Sequence, residues 1–304
     1  MGLLALLWGS SFLWIKLALH GFSPVQMAAI RVTLGAGLLV VLCLAGRQRL
    51  PSGWAWGHLV FAAIFGSVIP LILFPLGEQT VDSGVAGVLN ATTPLWALLI
   101  GITIGSERSL TVVRLGGLLL GFAGTLLIFA PWQAAGLASW GTLALLGAAV
   151  SYAICYTYVG RYLSGRGATP MALSAAQLLT ATGLSALVLP LGGLRTMHLQ
   201  PLALVAMAIL GIFGTGLAYV LNYRLIADEG ATNASTVGYL LPVVSVVLGA
   251  IFLSEALTLR VLAGMVIVLV GVAMTRWKRL DKAAVGGPPG ELVPVGELGL
   301  AKNA

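Results

Sequence analysis

Few side chains in this chain could recognise or transform a solute, and those few lie inside long apolar runs. Arg31 falls about seven residues into one run, roughly 10 Å below its nearer end at the rise of an α-helix. Lys16 ends the run before it. An ionisable group at such depth is costly, and so is a functional candidate. Either cation could draw in a carboxylate; the competing reading is that both stretch to the polar boundary. Aromatic and amide residues recur in the same runs: Trp8 and Trp14, Asn90 and Trp96, Tyr152, Tyr156 and Tyr158, then Tyr219, Asn222, Tyr223 and Tyr239. Tyr152 with Tyr156, and Tyr219 with Tyr223, stand four apart and share a helical face. Such a lining suits flat or apolar solutes with a few polar handles. The competing reading is an aromatic belt at the membrane boundary. That suits Trp54, Trp56, Trp132, Trp140 and Trp277, at run ends, better than Tyr152 and Tyr239, which lie well inside. The chemistry on offer is binding, not catalysis. There is no Gly-x4-Gly-Lys-Ser/Thr phosphate loop and no His/Cys/Glu set at metal-ligand spacing. His20, His58 and His198 fall in expected loops, and Cys43 and Cys155 inside apolar runs, so neither a disulfide framework nor a zinc site is expected. No enzyme activity, cofactor or metal is expected.

The elements that must hold these residues repeat. Pro94 to Glu107 reads Pro, six residues, Gly, four residues, Ser-Glu, and Pro242 to Glu255 reads the same. At that offset Gly66 matches Gly214, Gly101 matches Gly249, and Gly116 matches Gly264. Pro94 and Pro242 lie about ten residues into their runs, where a missing N–H bends a helix. Pro70 and Pro75 act likewise in the third run. Bends at matched positions make Pro70, Pro94 and Pro242 candidate hinges. The two Ser-Glu pairs, Ser106-Glu107 and Ser254-Glu255, read as caps between successive helices; a gating role is the alternative. Gly117, Gly121 and Gly124 form a smooth stripe suited to close helix packing, with a dimer face as the alternative.

Composition sets the environment. Of 304 residues 59% are hydrophobic and 8% charged, with mean hydropathy +1.03, where soluble domains carry about 25% charged residues. Such a chain belongs in a bilayer. Its net charge of +7 serves membrane orientation, and nucleic-acid binding is not expected. Ten apolar runs can be drawn, at 3–20, 25–45, 56–76, 85–104, 112–130, 140–162, 170–191, 201–223, 234–253 and 259–277. They are continuous rather than alternating, which means helices and not a barrel. The first starts at Leu3 with neither a basic stretch before it nor a cleavage site after it, so it reads as a retained helix; a short N-terminal stretch is expected to be missing. With the N-terminus inside, Arg47, Arg49, Arg108, Arg114, Arg161, Arg166, Arg224, Arg276, Lys278, Arg279 and Lys282 are cytoplasmic, against Lys16, Arg195 and Arg260 outside. The bias predicts both termini in the cytoplasm. Five helices per repeat make the second copy enter the membrane inverted, as in carriers that alternate access around a midplane site; some channels are also built so. The expected fold is therefore all-α, with one five-helix repeat over 1–131, its inverted copy over 138–277, and a disordered tail over 283–304.

Several residues together carry a family resemblance. Trp8-Gly9-Ser10-Ser11-Phe12 opens the first run, with Lys16-Leu17-Ala18-Leu19 after it. Phe22-Ser23-Pro24 precedes the Arg31 run, and the Pro-x6-Gly-x4-Ser-Glu pair closes the fourth and ninth. In this order they resemble the EamA-type carriers of the drug/metabolite transporter superfamily, which includes YddG-type amino-acid exporters. The resemblance covers about residues 3–277. It implies ten helices, a cavity lined mainly by helices 1, 3, 4, 6, 8 and 9, and export of small metabolites across the inner membrane. On it, Trp8, Ser11, Arg31, Asn90, Trp96, Tyr152, Tyr156, Tyr219, Asn222 and Tyr239 are the expected solute-binding set. The expected partners are the lipid bilayer and a small-molecule substrate, with the chain a monomer or weak homodimer. A passive channel or multidrug pore is the alternative.

Overall fold

The computed structural model describes residues 1–81, 83–105, 111–130, 132, 139–192, 194, 196–253 and 258–285. Among these the regular structure is helical throughout. In chain order it runs α1 (Gly2–Ala18, interrupted at Ser10), α2 (Pro24–Ala45), α3 (Ala55–Glu78), α4 (Ser83–Asn90 and Thr93–Thr103) and α5 (Val112–Phe129). The second half gives α6 (Trp140–Tyr162), α7 (Pro170–Val188), α8 (Pro201–Glu229), α9 (Ala231–Ser235 and Val237–Leu253) and α10 (Leu259–Val285). Eight of these are long and apolar enough to cross a bilayer, and α1 and the apolar part of α10 are shorter. The expected runs are matched within a few residues, with three differences. Helix α8 continues beyond 223 to Glu229, α9 starts earlier, and α10 continues to Val285 across the expected start of the tail. The remainder of that tail and both Ser-Glu pairs lie outside the described residues.

Local chemistry explains where the helices begin. Ser23 accepts a hydrogen bond from the Gln26 N–H at 3.3 Å while Gln26 Oε1 accepts one from the Ser23 N–H at 2.8 Å, a reciprocal cap with Pro24 in the first turn. Thr169 caps α7 on the Ala172 N–H at 3.2 Å, again ahead of a proline. These are matched positions of the two repeats.

Hydrogen bonds between loops show how the halves face. Ser23 Oγ donates to the Gly192 carbonyl at 3.2 Å, and the His198 N–H to the Gly21 carbonyl at 3.0 Å. The first loop of the first repeat thus meets the second loop of the second. At the other end the Thr169 hydroxyl donates to Gln48 Oε1 at 2.6 Å, joining the second loop of the first repeat to the first loop of the second. That crossed pairing is what an inverted repeat requires. The glycine stripe of α5 packs within the bundle: a Cβ at Gly117 would come 2.7 Å from the Gly271 carbonyl oxygen, and one at Gly124 2.8 Å from that of Gly264, both on α10.

Helices α3 and α8 each carry a π-helical segment, Ile64–Val68 and Ile212–Leu217, starting at matched positions of the repeat. Such segments widen the helix and free carbonyls, and they are common at functional sites. In α3 Pro70 follows directly and offers no N–H to Gly66. In α8 no proline follows the segment; Gly214 and Gly216 fall within it, and the Thr215 hydroxyl donates back to the Leu210 carbonyl at 2.8 Å. The other prolines act less symmetrically than the repeat suggests. Helix α4 breaks at Ala91-Thr92 and Pro94 sits harmlessly in the first turn of its second part, whereas Pro242 lies inside the second part of α9 after a break at Thr236.

Candidate functional site

The π segments are docking points for the second helix of the opposite repeat. Arg31, on α2, directs its Nε–H to Thr215 Oγ1 at 3.2 Å, in the α8 segment. Gln177, its counterpart on α7, donates through Nε2 to Ser67 Oγ and to the Ala62 carbonyl, both at 3.0 Å, at the α3 segment. Ser67 and Thr215 are themselves repeat-matched. The α3 dock is sealed in that its polar groups are paired within the protein, although Gly66 and Gln177 border a smaller space. The Tyr223 hydroxyl donates to Gln177 Oε1, that of Tyr219 to the Gly66 carbonyl, and that of Ser151 to the Phe65 carbonyl at 2.7 Å. The α8 dock is open: the Gly214 carbonyl accepts from Trp8 Nε1 at 3.1 Å, and Gly214 borders a cavity.

That cavity encloses about 670 Å³ of empty space, counting the open solvent at its mouth. Its wall comprises Trp8, Ser11, Phe12 and Ile15 of α1, Arg31 of α2, Leu71 and Phe74 of α3, Asn90 and Thr93 of α4, Tyr152 and Tyr156 of α6, Gly214 and Tyr219 of α8, and Ser235, Val237, Gly238 and Leu241 of α9. Phe12 packs edge-on against Phe74 at 6.3 Å, and Phe74 lies 5.8 Å from the Tyr152 ring. Arg31 is only 4% exposed, and Tyr152, Tyr219 and Glu78 lie within Coulombic reach of its guanidinium. A second space of about 320 Å³ lies further along α6 and α8, bounded by Gly66, Cys155, Val159, Gln177, Asn222, Tyr223 and Ile226. Trp8, Tyr152, Tyr156 and Tyr219 belong to both walls and stand between the two spaces.

Of the residues expected at a site, Trp8, Ser11, Arg31, Asn90, Tyr152, Tyr156 and Tyr219 come together at the larger cavity, and Asn222 borders the smaller. Two do not. Tyr239 is fully buried, its ring against Gly121 among Ala91, Leu98, Leu118 and Val268, where the smooth face of α5 leaves room for it. Trp96 is half-buried one turn beyond Thr93 and lines neither space. Depth in a run could not say which face a side chain takes. His58 is not in a loop but within the first part of α3, 2.6 Å from the Tyr158 hydroxyl and stacked on Tyr162, which draws Tyr158 away from the cavity. Lys16 donates to the Glu78 carbonyl at 3.1 Å, and Glu78 itself is buried. Sequence reasoning missed Thr93, Ser235, Phe12 and Phe74, and it missed Ser67 with Thr215. That last pair was visible: each hydroxyl directly follows a matched glycine, Gly66 or Gly214.

Comparison with known proteins gives one answer throughout. Residues 1–130 and again 139–277 match the EamA-like transporter family. An uncharacterized transporter of Archaeoglobus fulgidus is 29% identical, over 90% of this chain and 95% of that one. The uncharacterized inner membrane transporter YedA of Escherichia coli K12 is 28% identical over 92% and 90% of the two chains, and the uncharacterized transporter YvbV of Bacillus subtilis 26% identical over 94% of each. A crystal structure with 21% identity superposes with a TM-score of 0.70, over 90% of this chain and 97% of that one, and so shares the fold.

Proposed function

The chain belongs to the EamA-like transporter family and is a membrane transporter, and from that premise we propose that it is a secondary carrier of the inner membrane. In this reading it exports small metabolites, amino acids with hydrophobic or aromatic side chains among them, by alternating access through the larger cavity. One observation carries the reading: the partition of the interior by Trp8, Tyr152, Tyr156 and Tyr219, with a separate space on either side. A carrier needs a solute site that side chains close from one end and can open; an open pore needs no partition. The rings suit a flat apolar body, and Ser11, Asn90 and Thr93 offer it polar contacts. The breaks at Ala91-Thr92 and Thr236 and the two π segments give places for the helices to flex, with Pro70, Pro94 and Pro242 beside them. The Lys and Arg bias supports termini in the cytoplasm and the Lys16 end outside. The name of the Escherichia coli relative supports the inner membrane.

Purified protein in liposomes loaded with unlabelled phenylalanine tests this. External labelled phenylalanine should accumulate transiently by counterflow and saturate with concentration. Entry that is linear in concentration and indifferent to internal phenylalanine would replace the carrier with a pore.

A further inference from the structure

Arg31 has more hydrogen-bonding capacity than the protein uses. A guanidinium carries five N–H donors in a planar fork. Among the described residues only Nε–H finds an acceptor, at Thr215. The group is 4% exposed and borders the larger cavity. Thr93, in the same wall, has a buried hydroxyl with no hydrogen-bond partner among the described residues. A buried cation with most of its donors unfilled is an expensive arrangement unless an anion completes it.

The surrounding charge points the same way. Among the described residues the cavity wall contains no aspartate or glutamate. Glu78 is within Coulombic reach of Arg31 but is not part of that wall, and the Lys16 ammonium sits on the carbonyl of Glu78 itself. At the matched dock the contrast is complete: Gln177 is neutral, and both ends of its amide are satisfied.

We propose that Arg31 is the charge-selecting residue of the cavity and that the transported solute is an organic monocarboxylate on a flat or apolar body. The carboxylate takes the terminal nitrogens of the guanidinium in a bidentate pair, and the rings of Trp8, Tyr152 and Phe74 cover the body. An amino group on the solute is tolerated, not required, so amino acids are one case of a wider class and organic cations are excluded. This rests on the carrier reading above and narrows its substrate.

The test is calorimetric titration of the full chain in detergent with four probes that share a phenyl ring: 3-phenylpropionate, phenylalanine, 3-phenylpropanamide and 3-phenylpropylamine. The two carboxylates should bind at least tenfold more tightly than the amide, and the amine not measurably. Arg31→Gln, which copies the side chain of the matched dock, should bring 3-phenylpropionate within about twofold of the amide. Arg31→Lys should restore part of the preference, with thermal unfolding confirming that both variants are folded. Equal binding of amine and carboxylate, or a preference that survives Arg31→Gln, would overturn the assignment and leave the carrier reading standing. Binding of none of the four by the wild type, together with absence of phenylalanine counterflow, would overturn both.

Discussion

The two docks are built on one plan and finished differently. At each, a polar side chain from the second helix of one repeat meets the hydroxyl that follows a glycine in the π segment of the other. Around Gln177 every freed group is met by a protein side chain: Tyr223, Ser67, Tyr219 and Ser151 all contribute, and Cys155 packs beside them. Around Arg31 the same scaffold stops short, with one bond to Thr215 and one from Trp8 to the Gly214 carbonyl, and the remaining capacity facing empty space. The difference separates two uses of buried polarity. A network with every member satisfied fixes the relative position of α3, α7 and α8. A half-satisfied network costs stability that a ligand completing its hydrogen bonds would recover. Inversion of the repeat supplies both kinds from one motif.

The comparison would break first at Gln177. Gln177→Leu removes the partner of the Tyr223 hydroxyl and a partner of the Ser67 hydroxyl, and it leaves the Ala62 carbonyl only the Cys155 thiol at 3.6 Å. Each buried group so stranded costs about 1–3 kcal/mol, so the variant should unfold at a much lower temperature in detergent. Arg31→Leu strands less, because the Thr215 hydroxyl keeps its bond to Leu210, and it should lose solute binding before it loses stability. Similar falls in unfolding temperature for the two variants would mean that the docks are not functionally distinct.

Matched glycines sharpen the point at smaller scale. A Cβ on Gly66 would run into Cys155 Sγ and come 3.0 Å from Gln177 Nε2, whereas on Gly214 its nearest neighbour would be Ser11 Oγ at 3.1 Å, at the edge of the cavity. Overpacking of a filled site costs about 1–3 kcal/mol. Gly66→Ala should therefore lower stability by about that much and Gly214→Ala by less, read as the difference between their unfolding midpoints. Adding Cys155→Ala to Gly66→Ala should recover part of the loss. A larger loss at Gly214 would reverse the assignment of sealed and open docks.

Much of this was legible in the sequence, for identifiable reasons. Apolar run length locates the helices, because a bilayer leaves the backbone no other way to satisfy itself. The glycine and proline spacings gave the repeat, and the odd number of helices its inversion. Seven cavity residues could be named because polar and aromatic side chains at depth need a reason to be there. Tyr239 and Trp96 were misplaced for the converse reason: their surroundings depend on the small residues of another helix, as Gly121 makes room for Tyr239. Glu78 stands at the end of α3, and it is buried because Lys16 and the α6 side of the bundle close over that end. No periodicity in α3 alone announces this.

Glu78 also marks the last asymmetry between the docks, since its repeat-matched position is Ile226, a wall residue of the smaller space. The open dock thus has a carboxylate nearby and the sealed dock has none. A proton-driven carrier needs a titratable group that meets each side in turn, usually an acid at the solute site. Here the cation in the cavity keeps its proton at any working pH, and among the described residues the wall offers no acid. Glu78 is within Coulombic reach of that cation, with Lys16 on its own carbonyl. The expected outcome is a facilitator or exchanger driven by the solute's own gradient, with flux that varies little with pH. In liposomes an imposed pH gradient should give no uphill accumulation of phenylalanine, and Glu78→Gln should support counterflow within about twofold of wild type. Gradient-driven accumulation in the wild type that vanishes in Glu78→Gln would make Glu78 the proton site. The open dock would then differ from the sealed one by a proton path as well as by its charge.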